Sequence, residues 1–299
     1  MKLNSGDYDV VLLGEYTKDT IISPAGTRRV DGGGFNYGAN VVARMGLKTA
    51  AITRLAEEDF HLVAELRKLG VDVFATATPH SICMTLEYPT ENVDQRTLYV
   101  TTTAGSFTVD EVKGIKAKAF VISPSIRGEV PLEVIDEIKQ RNGFISIDVQ
   151  GYIRIIREDG VLINAPWPEK AAVLSRADVV KTDAVEAEFL TGESDIRKAA
   201  RILADLGPKE VVLTHRNGLL VYDGKNYYDA GFYPEKLVGR SGRGDTVIAS
   251  YMAKRLSAPP YEAAIWAAAA VSIKMEAEGP FKRDVRDVEA LIAKRYRIG

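Results

Sequence analysis

The sequence SGRGDT at residues 241–246 runs directly into the segment VIASYMAKRL at 247–256. Apolar residues in the second segment recur with helical spacing, whereas Gly242 and Gly244 allow backbone conformations that other residues avoid. The pattern predicts a flexible loop that opens a helix. The first N–H groups of a helix lack intrahelical partners and carry partial positive charge, so they bind anions, above all phosphate. Arg243 would add a full charge to this predicted anion site.

Asp245 follows the two glycines, at the position where the anion would lie. Aspartate is a favoured N-cap residue, so one interpretation of this side chain is purely structural. The other interpretation is a general base that takes a proton from a substrate hydroxyl while the loop holds the phosphoryl group in transfer. The loop alone leaves both interpretations open.

The composition of the 299 residues limits the classes of function. A net charge of −2, with both signs mixed along the chain, argues against nucleic acid or an acidic membrane surface as a partner. Cys83 is the single cysteine, which excludes an intrachain disulfide and a thiolate metal cluster. Neither a secretory signal nor an apolar run long enough to cross a bilayer is visible, so we expect a cytoplasmic protein.

Short apolar runs typical of buried parallel strands alternate with helical patterns along most of the chain, beginning at residues 9–14. Open α/β sheets bind their ligands at the carboxyl ends of the strands. Asp19 lies beyond the first such end, and Gln150 follows the run at 144–148. Both side chains are therefore candidates for contact with substrate hydroxyls. A solvated loop carboxylate is an equal alternative for Asp19.

The sequence DGGGFNYGAN at 31–40 is a second glycine-rich helix start. Asn36 and Asn40 are one helical turn apart, so they could direct their amides at a polyol. Local capping is the alternative for both asparagines.

Residues 72–101 break the alternation and contain short strand patterns joined by a polar turn. Together with residues 16–31 they predict a small antiparallel β lid on a single domain that spans 1–299. A lid over a phosphate site would exclude water from the reaction. Its strand edges could also pair two copies of the chain into a homodimer.

Asp183 and Glu186 lie three residues apart at a predicted helix start, just after a strand that ends at Lys181. Carboxylates with this spacing share one helix face, so they could hold a hydrated magnesium ion. A capping box is the alternative. Further along, Thr214 and Arg216 are expected to lie next to the loop at 241–245.

Taken together, these motifs resemble the ribokinase family of carbohydrate kinases, also called the PfkB family. The glycine-rich segment at 32–46, the Asp-x-x-Glu at 183–186 and the loop at 241–245 occur in the family's order and at about its spacing, over essentially the full chain. The resemblance implies a three-layer α/β/α sandwich with a mainly parallel central sheet and a small β lid. It also implies ATP and Mg²⁺ as co-substrates, and phosphoryl transfer to an alcohol.

The resemblance further implies roles for single residues. Asp245 matches the catalytic base, and Glu186 matches a magnesium-linked glutamate, with Asp183 beside it acting through water. The predicted anion hole comprises Gly242, Arg243 and Gly244. For the substrate site the resemblance implies Asp19, Gly32 and Gly33, and the positions of Asn36 and Gln150 add these two residues to the prediction. For the nucleotide site it implies Thr214 and Gly218, to which the prediction adds Lys181, Gly242, Gly244 and Arg216, although Arg216 has no clear counterpart in the family.

This chain also departs from the family's usual motifs. Arg243 replaces an alanine, Asp183 replaces an asparagine, and the loop at 214–218 is one residue shorter than the common form. The segment IDVQGYIR at 147–154 is similar to the inositol kinase branch, which implies a cyclitol acceptor such as myo-inositol. Alternatives are a sugar kinase of the ribose or fructose type, a nucleoside kinase, an ADP-dependent kinase, and a non-catalytic sensor that binds a nucleotide or polyol.

Overall fold

The described part of this computed structural model, residues 8–90, 95–141 and 143–296, folds into alternating strands and helices. The strands in it are β1 (Tyr8–Leu13), β2 (Thr17–Ser23), β3 (Gly26–Asp31), β4 (Thr49–Ala56), β5 (Asp72–Thr78), β6 (Ile82–Glu87), β7 (Thr97–Thr102), β8 (Ala117–Ile122), β9 (Phe144–Asp148), β10 (Arg154–Ile156), β11 (Leu162–Asn164), β12 (Val179–Asp183), β13 (Glu210–His215), β14 (Gly218–Tyr222) and β15 (Tyr227–Gly231). The helices in it are α1 (Gly34–Arg44), α2 (His61–Lys68), α3 (Val109–Val112), α4 (Leu132–Lys139), α5 (Gln150–Ile153), α6 (Lys170–Leu174), α7 (Ala184–Thr191), α8 (Ile196–Ala204), α9 (Arg243–Arg255), α10 (Pro260–Lys274) and α11 (Val285–Arg295), with a 3₁₀ turn at Glu57–Asp59.

A nine-stranded sheet forms the middle layer, in the order β15-β14-β13-β12-β9-β8-β1-β4-β5. The strands from β13 to β5 in that order run parallel, and β14 and β15 add an antiparallel edge. Parallel strands need crossover connections, which the intervening helices supply. The carboxyl ends of the parallel strands therefore meet along one edge of the sheet.

Helices cover both faces of this sheet because its strands are apolar on both sides. In β1, Val10 and Leu12 point to a core shared with α1, α2, α9, α10 and α11. Val11 and Leu13 point to a second core shared with α3, α4, α6, α7 and α8. The predicted three-layer α/β/α sandwich with a mainly parallel central sheet is thereby confirmed.

A separate four-stranded sheet, in the order β3-β2-β6-β7, forms the predicted lid. Its own small core includes Ile21, Ile82 and Leu86. The pairs β2–β3 and β6–β7 are antiparallel, whereas β2 and β6, the two central strands, run parallel. The edge strand β3 is mostly exposed, and pairing of two copies through a lid edge stays a prediction.

The second segment of the lid begins later in the chain than the predicted residue 72. Residues 72–78 form β5, which pairs in parallel with β4 in the central sheet. The sequence pattern identified a strand there but could not tell which sheet it joins. Residues 91–94 of the predicted lid lie outside the described residues. No helix among the described residues is long and apolar enough to cross a membrane.

Candidate active site

Helix α9 packs against the parallel strands β1, β8, β9 and β12, and against α1. Gly242 is its N-cap, with φ of 71° in the left-handed region that favours glycine. A Cβ atom at this position would lie 2.2 Å from Cδ1 of Tyr37. Glycine is thus required at residue 242 by both its backbone conformation and the tyrosine ring packed on it.

Asp245 lies in the first turn of α9, and because Gly242 holds the cap position, the N-cap interpretation of Asp245 is wrong. A Cβ atom at Gly34 would lie 3.0 Å from Oδ1 of Asp245, so this glycine keeps space open beside the carboxylate. Burial raises the pKa of Asp245, and the positive charges of Lys181 and Arg154 oppose that shift. The carboxylate is placed to act on a group that enters between the starts of α1 and α9.

Asp19 is 9% exposed, and its Oδ1 atom has no hydrogen-bond partner within the described protein. Burial, reinforced by the negative charge of Asp245, raises its pKa to about 6, while a hydrogen bond from Thr17 opposes the shift. A Cβ atom at Gly32 would lie 2.8 Å from Oδ2 of Asp19. Gly33, with φ of 95°, continues the same close turn. Asp19 therefore has one carboxylate oxygen that can accept a further hydrogen bond, and it lies near enough to Asp245 for the two charges to interact.

Asn36 and Asn40 use their amides within the protein. Nδ2 of Asn36 donates to the carbonyl oxygen of Asp31 at 3.1 Å, and Nδ2 of Asn40 donates to Oδ1 of Asn36 at 3.0 Å. The side chain of Asn36 thus stabilises the turn that carries Gly32 and Gly33. Neither asparagine caps α1, whose N-cap is Gly33 without a side-chain cap bond, so the capping alternative is wrong. Contact of Asn36 with the substrate stays a prediction.

Lys181 lies at the centre of the site. Its Nζ atom is 3.0 Å from Oδ2 of Asp148, and a Cβ atom at Gly244 would lie 2.6 Å from the same Nζ. Burial alone would lower the pKa of Lys181, but the surrounding carboxylates, led by Asp148, outweigh it and raise the pKa. A charged ammonium is therefore held directly against the glycine loop. The backbone N–H of Gln150 donates to Oδ1 of Asp148 at 3.0 Å and helps to hold that carboxylate.

Asp183 and Glu186 form the capping box of α7. Oδ1 of Asp183 accepts from the N–H of Glu186, and Oε2 of Glu186 accepts from the N–H of Asp183, both at 2.8 Å. Oε1 of Glu186 is buried without a hydrogen-bond partner and lies 3.9 Å from Nη2 of Arg154. Burial raises the pKa of Glu186 to about 7. One oxygen caps the helix, and the other accepts no hydrogen bond within the described protein and is available, apart from the long ion pair with Arg154.

A magnesium ion fits that available oxygen. Mg²⁺ keeps most of its water ligands and needs only one or two carboxylates from the protein. The described residues contain no group of three or more histidine, cysteine or acidic side chains that could hold a metal without water. The magnesium roles of Glu186 and Asp183 stay predictions.

The other predicted nucleotide residues lie around the hairpin of β13 and β14. Thr214 is buried, and its hydroxyl donates to the carbonyl oxygen of Thr182 at 3.4 Å. A Cβ atom at Gly218 would lie 2.4 Å from the carbonyl oxygen of Ala230, so the packing of β14 on β15 explains this glycine without a ligand. Arg216 lies in the turn between β13 and β14 and lines a cleft that Arg243 of the glycine loop also lines, as expected from the sequence.

That cleft has a volume of about 610 Å³ and extends from Arg243 towards solvent. Arg216 and Arg240 also line it, beside an apolar wall that includes Phe232, Tyr233, Leu237 and Met275. The guanidinium of Arg243 lies 5.9 Å from the centre of the Phe232 ring. The cleft therefore combines three arginines and one carboxylate, Asp229, with an apolar surface, which suits an anion with an organic group.

Within the loop, the N–H of Arg243 donates to the carbonyl oxygen of Arg240 at 3.2 Å. This amide is therefore used inside the loop, and Arg243 can contribute to the anion site through its guanidinium. Two further residues of the site, Asp148 and Arg154, lie outside the predicted set. Asp148 ends β9 and Arg154 begins β10, and both belong to the segment at 147–154 that resembles the inositol kinase branch, which is the signal that could have found them.

Comparison with known proteins was consistent with this geometry. Residues 10–279 match the model of the pfkB family of carbohydrate kinases. A solved pyrophosphate-dependent kinase of the ribokinase family, complexed with a pyrophosphate analog and myo-inositol, is 32% identical, with a TM-score of 0.86 over 94% of this chain and 99% of that one.

Two further relatives differ from each other in the acceptor that their names give, myo-inositol for one and cytidine for the other. A solved pyrophosphate-dependent myo-inositol-1 kinase, converted by mutation into a myo-inositol-3 kinase, is 31% identical, with a TM-score of 0.85 over 96% of this chain and all of the other. A cytidine kinase of Thermococcus kodakarensis is 28% identical over 265 residues, which are 85% of this chain and 91% of that protein.

Proposed function

The chain belongs to the pfkB family of carbohydrate kinases, and we propose that it phosphorylates a hydroxyl of a cyclitol such as myo-inositol, with Asp245 as the general base. The observation that carries this proposal is the position of Asp245. It stands in the first turn of α9, next to the loop that packs on Lys181 and within electrostatic range of Asp19. We therefore infer that one space holds the base Asp245, the anion site on Lys181, and the carboxylate of Asp19, which can accept hydrogen bonds from a polyol.

In this mechanism Asp19 accepts hydrogen bonds from hydroxyls of the acceptor and orients it. Asp245 accepts the proton of the attacking hydroxyl as the new bond to phosphorus forms. The charge of Lys181, beneath Gly244, and the dipole of α9 stabilise the negative charge of the phosphoryl group in transfer. Magnesium, held through water by Glu186, would neutralise further charge on the phosphate oxygens when bound.

For the donor, the resemblance to the family implies ATP. The cleft beside Arg243 supports this choice, because its apolar wall could pack against a nucleobase while its arginines face phosphates.

Pyrophosphate is a second candidate donor, favoured by a specific observation. Lys181 and Arg243 are two cations at one short loop, and together they offer concentrated charge for a small anion. Two solved structures that are 32% and 31% identical to this chain are also pyrophosphate-dependent kinases. Both donors contain the diphosphate group, so the same loop could act on either.

The acceptor also has two supported classes. Similarity to kinases of myo-inositol supports a cyclitol, and the curated relative supports a nucleoside. We favour the cyclitol because the structures of myo-inositol kinases cover more of this chain. A sugar acceptor remains the third class to test.

The test is product formation by purified protein with either ATP or pyrophosphate, each with magnesium. The acceptor panel contains myo-inositol, ribose, fructose and cytidine. We expect acceptor-dependent phosphorylation with myo-inositol preferred. Folded protein that binds a donor but phosphorylates no member of the panel would contradict the proposal and favour a sensor.

A variant of the cleft wall separates the two donors. Leu237 is 57% exposed in the cleft, so Leu237→Asp should raise the KM for ATP and leave the KM for pyrophosphate unchanged. Ile202→Asp, at an exposed apolar residue of α8, is the matched control and should change neither value. Equal KM values for ATP in Leu237→Asp and the wild type would contradict a nucleobase site in this cleft.

A further inference from the structure

Lys274, the last residue of α10, is only 2% exposed although it carries a positive charge at neutral pH. Removing an ammonium group from water costs several kcal/mol unless other groups replace its hydration. Lys274 has no part in the mechanism described above. The groups that replace the hydration of its ammonium therefore indicate the role of the buried charge.

The Nζ atom of Lys274 donates to two carbonyl oxygens of the segment just before the anion loop. It contacts the carbonyl oxygen of Gly239 at 3.1 Å and also that of Ser241. The remaining side of the ammonium faces the ring of Tyr37, whose centre is 5.3 Å away. The same ring packs on Gly242, the N-cap of α9.

The end of α10 holds this segment by its backbone as well. The carbonyl oxygen of Met275 accepts from the N–H of Val238 at 2.8 Å and from that of Gly239 at 3.1 Å. Residues 238–242 are therefore fixed between the end of α10 and α1. The lysine supplies the charge that allows the carbonyl oxygens of Gly239 and Ser241 to point at one buried position.

We propose that the ammonium of Lys274 acts as a built-in monovalent cation that fixes residues 239–242 and so positions Gly244 and Asp245 for phosphoryl transfer. The inference rests on the proposed kinase function for its catalytic consequence. Lys274 touches no reacting atom in this scheme, so it is a positioning residue. A displacement of the loop by about 1 Å would suffice to reduce turnover by about 10²-fold.

The charges around the ammonium indicate how the contact depends on pH. Burial lowers the pKa of Lys274 to about 8, while Glu278 and Asp245 raise it and Arg243 lowers it further. Glu278 is itself 3.3 Å from Arg28 of β3. Because the neutral amine is a weaker donor, we expect turnover to fall as the pH rises through about 8. In Lys274→Met this alkaline loss should be absent.

The first experiment compares Lys274→Met with the wild type and with Lys254→Met. Lys254 is the matched control, since its ammonium lies over the Trp266 ring, 4.6 Å from the ring centre and away from the loop. We expect Lys274→Met to reduce kcat by about 10²-fold, with the acceptor KM within about threefold of wild type. Lys254→Met should keep the wild-type kcat. A folded Lys274→Met with wild-type kcat would overturn the proposal.

Rescue by a small cation is the sharper readout. Lys274→Ala should regain part of its kcat in ammonium chloride but not in tetramethylammonium chloride at equal ionic strength, because only the smaller ion fits between the two carbonyls. A purely structural loss would show no difference between the salts. Equal kcat in both salts for folded Lys274→Ala would contradict the role of a bound cation.

Hydrogen exchange separates this inference from the proposed function. Without any substrate, amides in residues 238–244 should exchange faster in Lys274→Met than in the wild type, while α4 stays unchanged. Faster exchange in a protein that phosphorylates no acceptor would uphold the loop role and reject the kinase proposal. Unchanged exchange would reject the loop role even in an active kinase.

Discussion

Nζ of Lys181 lies 3.0 Å from Oδ2 of Asp148, and both side chains are almost completely buried beneath the glycine loop. The same Nζ would lie 2.6 Å from a Cβ atom at Gly244. One lysine therefore balances a buried carboxylate and places positive charge where the phosphoryl group is expected. These two effects can be separated by mutation.

Replacing Lys181 should affect stability and activity through different partners. Lys181→Met leaves Asp148 buried without its cation, which typically costs about 3–5 kcal/mol of unfolding free energy. The double variant Asp148→Asn/Lys181→Met removes the unpaired charge, so it should regain most of the stability measured by chemical unfolding. Turnover should stay low in both variants. Recovery of turnover in the double variant would show that the charge of Lys181 is not used on the donor.

Asp19 should give the acid limb of the pH profile. Its pKa is raised to about 6, chiefly by burial, so it loses its charge as the pH falls through that value. A protonated carboxyl accepts hydroxyl hydrogen bonds poorly, and kcat/KM for the acceptor should fall below about pH 6.

The variant Asp19→Asn tests that assignment. It should raise the acceptor KM by roughly 10- to 100-fold, the scale for loss of a hydrogen bond to a charged group, and leave the donor KM unchanged. The acid limb near pH 6 should disappear. An unchanged limb in Asp19→Asn would assign it to another group.

Glu15 offers a test of stability against pH. This carboxyl is completely buried, and burial with nearby Glu129 raises its pKa well above the ordinary 4.5, although the charge of Arg54 and a backbone hydrogen bond from Ala104 oppose that shift. Folding therefore takes up a proton at neutral pH, so the stability contributed by this group is lost as the pH rises from about 4.5.

Because the glutamine of Glu15→Gln cannot lose a proton, the unfolding free energy of the variant, relative to that of the wild type, should increase as the pH rises from about 5 to about 8. Glu289→Gln, at an exposed residue of α11, is the control and should show a constant difference over the same range. A constant difference in Glu15→Gln as well would show that the group ionises normally in the folded chain.

Local features of the site could be predicted from sequence. The loop at 241–246 and the capping box of Asp183 and Glu186 depend on residues three or four apart, whose geometry is set by the helix itself. The structure decided one alternative that the sequence left open: Gly242, and not Asp245, is the N-cap of α9.

Features that depend on distant parts of the chain could not be predicted. The pairing of Lys181 with Asp148 joins neighbouring strands 33 residues apart in sequence, and the contact of Lys274 with Ser241 spans the same separation. The sequence pattern of the strand at 72–78 is compatible with either sheet. Its pairing with β4 depends on the crossover through α2 and not on the pattern of the strand itself. A nearer contact was also missed: the amide of Asn36 donates to the carbonyl oxygen of Asp31 across a turn, and the helical spacing of the asparagines does not predict this turn.

The central claim is that Asp245 accepts the proton of the acceptor hydroxyl. The most direct measurement is turnover of Asp245→Asn with the preferred acceptor and donor, alongside donor binding measured by protection against thermal unfolding. Loss of a general base predicts a fall in kcat of ~10²–10⁴ with donor binding retained. Asp110→Asn, at an acidic residue in the first turn of α3, should keep wild-type turnover. Near-normal kcat in folded Asp245→Asn would contradict the account.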